Sequence, residues 1–398
     1  MKARYVILRQ IQLPEPAKPW YRTKAIRVDS GSIAEVEPVK IEYDEITRQK
    51  AAEISGMKDI AAVAPAIPVK LISPVDQEPD DSSAAVQDSW GIEAVGAGRS
   101  PFDGSGIVVA VLDNGIDPDH PSFRGVDLIR KNFTLEGDND IVGHGTHCAG
   151  TVFGRNESGI RIGVAPGIKT ALIGKVLGKG GGSSDIVTEG IQWAVQNGAN
   201  IISMSLGIDF PGYVDQLTGR GIPADLATSM ALEGYRSNIL LFERLASMIR
   251  ALGDFRRPCL LIAAAGNESR RNVDPAYVIS VCPPAVAEGM ISVAALNKSP
   301  DGYSVASFSN TGARVSAPGV GILSAKAGGG LELMSGTSMA TPHVAGVAAL
   351  WAQKLENEKA LKVTILTDKL MGSATYEGMK AGYLSGDIGS GIIRAPLE

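Results

Sequence analysis

The sequence predicts an α/β protein with a mostly parallel central sheet flanked by helices, joined to a small N-terminal α+β unit. Three observations predict it. The runs GIVVAVLDNG, TALIGKVLG, ANIISMSLG, CLLIAAAGN and EGMISVAAL are short and nearly continuously apolar, the pattern of strands buried on both faces. Helical stretches such as DIVTEGIQWAVQNG fall between some of them, and strand, helix, strand order favours a parallel sheet. The chain has 398 residues, 44% of them hydrophobic, and 47 glycines, which suits one large core plus a small one, with many tight turns.

Taken in order, residues 1–75 read as the small unit. RYVILRQI and IAAVAPAIPVKLI read as strands, and YDEITRQKAAEISG between them reads as a helix ended by Gly56. The Pro-, Ser- and Asp-rich SPVDQEPDDSSAAVQ reads as an exposed connection, which makes 76–89 a linker and a candidate processing region. Residues 90–398 carry the apolar strands of the main domain. Within it, 208–257 is expanded: IDFPGYVDQLTGRGIP reads as an inserted loop, and Ile239, Phe242, Leu245, Met248, Ile249 and Leu252 recur at helical spacing.

Composition removes several function classes. A formal charge of −5 leaves no chain-wide basic surface for nucleic acid. Cys148, Cys259 and Cys282 are odd in number and lack CxxC spacing, so they support neither a disulfide framework nor a cysteine-rich zinc site. The opening apolar stretch is broken by Arg9 and Gln10 before it reaches signal-peptide length, so cytoplasmic residence is the default expectation. No apolar run approaches the roughly 18 residues of a membrane span.

Candidate chemistry lies in three short stretches. Asp113 ends IVVAVLD, His144 sits in GHGTHCAG, and Ser338 sits in GTSMATP. Singly, each has a plain alternative: Asp113 a turn or cap, His144 a structural histidine in a Gly-rich turn, Ser338 a helix cap. Together an Asp, a His and a Ser activate a hydroxyl if the base lies between the other two. The carboxyl ends of parallel strands are where such residues gather.

VVAVLDNGIDPDHPSF, GHGTHCAG and GTSMATPHVAG, in that order and with SMSLG and AAAGN between the last two, resemble the active-site segments of the subtilisin-like serine proteases. The resemblance runs from about Trp90 to GDIGSGIIRAP and implies a subtilisin-like fold. It further implies a serine endopeptidase in which Asp113 orients the imidazole, His144 is the general base and Ser338 the nucleophile. Asn267 is implied as the oxyanion donor, and Ser205, Leu206, Gly207, Ala263, Ala264, Ala265 and Gly266 as the walls of the substrate cleft. His147 and His343 are implied to be structural. The N-terminal unit resembles the pro-domain of this family, an intramolecular inhibitor or folding chaperone whose tail occupies the cleft until cut; a permanent accessory domain is the other reading.

No cofactor is implied for the chemistry. A structural calcium is an open expectation at GRNESGIRIG, where Asn156 and Glu157 offer oxygens, and EGDNDIVGHG offers further carboxylates. Partners are protein or peptide substrates. One departure from the family pattern bears on substrate choice rather than reaction type: IDFPGY follows SLG, so that Ile208, Asp209 and Phe210 are expected to reshape or partly cover the cleft. A second is Asn114, in place of the small hydroxyl residue usual after the aspartate, whose amide offers a local hydrogen-bond partner. Cys148, four residues after His144, reads as a small buried hydrophobe; the other reading is a thiol beneath the triad whose modification would disturb the base. A catalytically silent peptide-binding protein using the same cleft is the alternative function. A dinucleotide enzyme is disfavoured because GSGIVV lacks the third glycine of that fingerprint.

Overall fold

The computed structural model describes residues 2–10, 40–75, 89–253 and 255–398. At the N-terminus, β1 (Lys2–Arg9) lies between β2 (Ile41–Thr47) and β3 (Ile60–Pro65), antiparallel to both, with α1 (Arg48–Ser55) connecting β2 towards β3. The expected helix from Tyr43 is shorter than predicted. Ile41 to Thr47 pair with β1 as a strand, and the helix begins only where the Thr47 hydroxyl accepts from the Lys50 N–H at 3.2 Å, an N-cap. Gly56 ends it, as expected.

The expected single strand IAAVAPAIPVKLI is two. Pro65 and Pro68 bracket the break, and β4 (Pro68–Leu71) leaves the N-terminal sheet to join the main domain. Alternation along β1 explains how the units share a core. Ile7 packs with Ile46, Ala51 and Ile60 beneath α1, while Val6 and Leu8 point the other way into a cluster containing Leu241, Phe242 and Met204 of the main domain. This is the two-faced logic of a strand with period two. The residues expected as a linker and processing region, 76–89, lie outside the described residues save Ser89.

The main domain opens with α2 (Trp90–Ala94). Its sheet is built on β5 (Val108–Asp113), β6 (Asp127–Asn132), β7 (Thr170–Lys175), β9 (Ile201–Met204), β11 (Leu260–Ala264), β12 (Met290–Ser299) and β14 (Val315–Pro318), all parallel to their neighbours, with β13 (Gly302–Val305) antiparallel on β12. The short strands β8 (Gly182–Ser183) and β10 (Leu206–Ile208) stand apart from it. Helices α3 (His144–Phe153) and α7 (Thr337–Asn357) pack on one face with Val109, Val111 and Ile262. On the other lie α4 (Ser184–Gln196) and part of α6 (Ala224–Leu252).

In the expanded region, the segment expected as a loop is largely helical: α5 spans Phe210–Gly219, with Pro211 in its first turn. Proline there loses nothing, since first-turn N–H groups have no intrahelical partner. The predicted periodic helix is α6, which buries Phe242, Leu245, Ile249 and Leu252, while Ile239 and Met248 are half-buried. Phe242 is fully buried, a site where truncation to Ala typically costs about 3–5 kcal/mol. This helix also receives the N-terminal unit: Asn238 Nδ2 donates to the Pro65 carbonyl at 2.9 Å, and Arg48 pairs with Glu233.

Candidate active site

Asp113 is the last residue of β5, and His144 is the first of α3. Their side chains meet. The imidazole Nδ1–H faces both carboxylate oxygens, at 2.9 and 3.0 Å, and each side chain is 1% exposed. Burial pushes the His144 pKa down, but the adjacent Asp113 carboxylate and the Cys148 sulfur together outweigh it and hold the value well above the ordinary histidine one.

The start of α3 is fixed by side chains that the sequence reading valued less. Asn114 Oδ1 accepts from the Gly145 N–H at 2.8 Å, so the unusual residue after the aspartate ties β5 to the histidine helix. Asp140 Oδ1 accepts from the N–H groups of Val142 and Gly143, and its Oδ2 from the N–H and hydroxyl of Thr146. A carboxylate here suits the positive end of the helix. Gly145 is required by close approach, since a Cβ would stand 2.2 Å from the Gly115 carbonyl.

Ser338 lies in the first turn of α7. Four residues on, Pro342 has no N–H to give the Ser338 carbonyl, so that oxygen is left for other donors. Ser205 Oγ donates to it at 3.2 Å and the Cys148 thiol at 3.4 Å. The same Cys148 Sγ is 3.8 Å from His144 Nδ1. The structure therefore gathers Asp113, His144 and Ser338 around one buried thiol, although 194 residues separate the last two in sequence.

The serine hydroxyl itself is engaged elsewhere. Ser338 Oγ donates to the Ile72 carbonyl at 2.7 Å, and His144 Nε2 has no hydrogen-bond partner among the described residues. The carbonyl belongs to the segment that follows β4, which occupies the cleft. β4 is the middle strand of three, antiparallel to β10 on one side and β8 on the other, with Lys70 opposite Gly207 and Leu71 opposite Leu206. Beyond it, the Ile72 N–H donates to the Ser205 carbonyl at 3.3 Å and the Val75 N–H to the Ser335 carbonyl at 2.8 Å. This is strand addition by the chain's own residues.

Asn267 follows β11 through Gly266. Its Nδ2 donates to the Ser73 carbonyl at 2.9 Å, one carbonyl beyond the one that Ser338 touches. Thr337 aims it: the Thr337 N–H and hydroxyl both donate to Asn267 Oδ1 at 2.9 Å, and the Thr337 oxygen accepts from the Gly266 N–H at 3.1 Å. Sequence reasoning missed Thr337, whose only signal was its place before the serine.

Of the predicted cleft walls, Ser205, Leu206 and Gly207 touch the tail directly. Ala263, Ala264 and Ala265 are fully buried, and the main chain of Ala265 and Gly266 is taken by Val293, Cys282, Asn310 and Thr337. Cys282 is a wall residue the sequence did not reveal. A Cβ on Gly207 would lie 2.7 Å from its Sγ and 3.7 Å from the Ile72 side chain, so sulfur, glycine and the buried isoleucine meet at one point.

Residues 104–391 match the Subtilase family. The chain belongs to that family. It is a serine endopeptidase by class, and it is 31% identical over 376 residues to the thermostable alkaline protease of Halalkalibacterium halodurans, covering 92% of this chain and 85% of the relative. It is 33% identical over 315 residues to subtilisin-like protease 6 of Arthroderma benhamiae, covering 75% of this chain and 65% of that one. Among solved structures, fervidolysin from Fervidobacterium pennivorans, a keratinolytic enzyme related to subtilisin, matches all of this chain and 62% of its own with a TM-score of 0.66 at 22% identity, a likeness of fold.

The two other histidines near the site of this subtilase each have a backbone partner. His147 Nε2–H is directed at the carbonyls of Ile322 and Glu332, and His343 Nδ1–H donates to the Met339 carbonyl. Burial lowers both, His147 to about 3, with the nearby His144 adding to the effect, and His343 to about 4. All three cysteines are free. At the calcium expectation, Asn156 is exposed and the loop closes on itself through Glu157 and Ile160 main-chain bonds of 2.9 Å. Among the described residues, the one group of three His, Cys, Asp or Glu ligand atoms within 4.8 Å is Asp113, His144 and Cys148, and Asp140 is committed to α3. No described helix is long and apolar enough to cross a membrane.

Proposed function

We propose that this subtilase hydrolyses peptide bonds through Ser338, His144 and Asp113, and that its N-terminal unit holds the cleft closed until the chain cuts itself. The single observation that carries the reading is the seating of residues 68–73 between β8 and β10, with consecutive carbonyls on the Ser338 hydroxyl and the Asn267 amide. A group that binds an extended chain in this way presents a carbonyl to both a nucleophile and an oxyanion donor.

In the reaction, Ser338 Oγ attacks the carbonyl carbon while His144 Nε2 takes its proton; Asp113 steadies the imidazolium that forms. The carbonyl oxygen becomes negative and receives the Asn267 amide and the Ser338 N–H. His144 then returns the proton to the leaving amine, leaving an acyl-enzyme that water releases by the same steps in reverse. No cofactor enters the scheme.

The resting contacts divide two tasks between two carbonyls, since Ser338 holds Ile72 and Asn267 holds Ser73. Attack needs both on one. The Ile72 N–H on Ser205 supports Ile72 as the residue before the cut, and Pro74 argues against the alternative, because cleavage after Ser73 would expel a proline nitrogen. The first bond cut is then Ile72–Ser73, upstream of the 76–89 stretch. A permanently silent peptide binder would keep the same tail in place. A fluorophosphonate probe separates the two: covalent labelling that is lost in S338A supports the enzyme, and absence of label on a chain freed of its tail contradicts it.

A further inference from the structure

Lys70 stands two residues before Ile72, opposite Gly207 in the β4–β10 pairing. Its ammonium is 3.4 Å from Asp209 Oδ1 and 3.7 Å from Glu268 Oε1. These carboxylates come from two separate segments of the chain: Asp209 directly follows β10, and Glu268 directly follows Asn267. Neither is a loose surface acid. The Asp209 N–H donates to the Pro68 carbonyl of the bound strand at 3.0 Å. Glu268 is clamped by Asn310, whose Nδ2 donates to Glu268 Oε2 at 2.8 Å and whose Oδ1 accepts from the Glu268 N–H at 3.1 Å.

We propose that Asp209 and Glu268 form a charge-reading site for the residue two positions before the one at the cut bond, so that this enzyme selects peptides with Lys or Arg there. The proposal rests on the reading above that Ser338 cleaves chains laid along β10. The bound strand is a stand-in for substrate, and its lysine occupies the position in question. When the strand departs, two negative groups face the vacated place, favouring a cation and opposing an acid. Both acids remain partly solvated, at 28% and 39% side-chain exposure, so their effect is a selectivity of about tenfold rather than an absolute requirement.

The test uses peptides alike except for Lys, Ala or Glu at that position, with kcat/KM measured on the self-processed full-length product. The wild type is expected to prefer Lys to Glu by about tenfold at low ionic strength, and the ratio is expected to shrink in about 0.5 M salt as the charges are screened. In D209N/E268Q the ratio falls towards one, and in D209K/E268K it inverts. Should both variants misfold, the wild-type ratio and its salt dependence decide the matter alone. Cleavage indifferent to charge, or a Lys preference that persists in a folded D209N/E268Q protein, overturns this proposal and leaves the catalytic reading intact. Failure to cut any peptide, together with failure of Ser338 to take a fluorophosphonate, overturns both.

Discussion

The hydroxyl of Ser338 is given to the carbonyl of Ile72, at 2.7 Å, while His144 Nε2 has no partner among the described residues. On the proposed reading, the nucleophile is thus uncoupled from its base by the very segment it is to cut, and departure of residues 72–75 would free the hydroxyl to turn towards His144.

Replacement of Asn267 by Ala removes the side-chain donor that now holds Ser73. The expected loss is about 3 kcal/mol of transition-state stabilisation, a hundred- to thousandfold fall in kcat with little change in KM. Steady-state kinetics on the processed enzyme checks it; an equal kcat would remove Asn267 from the chemistry. T337V, which leaves Asn267 present but takes away the hydroxyl that aims it, is expected to fall between this variant and the wild type.

The pH dependence follows from the Asp113–His144 pair. A general base works as neutral imidazole, and Asp113 together with Cys148 outweighs burial to raise the His144 pKa, so kcat/KM rises with pH through a value above the ordinary 6.5. In D113N the larger of the two influences that oppose burial is lost, the acid limb moves to lower pH, and the plateau falls by about ten-thousandfold. The sign for stability is the reverse. A raised folded pKa means that the pair stabilises fully below the unfolded value and loses this contribution as pH climbs through the folded one. Thermal unfolding of S338A across the alkaline range measures it.

Gly207 is predicted to set the size of the residue accepted before the cut. G207A places a methyl group 2.7 Å from Cys282 Sγ and 3.7 Å from the Ile72 side chain. The expected outcome is a shift in kcat/KM from branched aliphatic residues towards Ala by at least about tenfold, since overpacking at such a contact costs roughly 1–3 kcal/mol. Unchanged preference across a peptide series would place the pocket elsewhere.

Cys148 is 1% exposed, and burial raises its pKa, so thiol reagents are expected to reach it slowly. Once labelled, a bulky adduct sits beside His144 and the Ser338 carbonyl. Activity should fall in proportion to Cys148 labelling, and a C148A enzyme should resist the reagent. Full labelling with full activity would show that the thiol is only packing.

Much of this was legible before any coordinates. The buried strands announced themselves as continuous apolar runs because both faces of the central sheet are covered, and β5, β7, β9, β11 and β12 all fall where those runs lie. Asp113, His144 and Ser338 stand out as residue types able to form a relay, but family resemblance, not local spacing, chooses them and Asn267 over turn, cap and structural roles. Other features had no local signal. Thr337 and Cys282 act through partners distant in sequence, and IAAVAPAIPVKLI reads as one strand until the main domain competes for its second half. The turn-like IDFPGY conceals the start of α5, because proline punctuates both loops and helix first turns.

The most direct test is the intact mass and N-terminal sequence of the purified chain beside those of S338A. The account predicts that the wild type yields a product beginning at Ser73 while S338A remains uncut with its tail in the cleft. A wild-type chain that stays whole yet hydrolyses peptides at full rate, or an S338A chain that is cut at the same bond in the absence of other proteases, would contradict it.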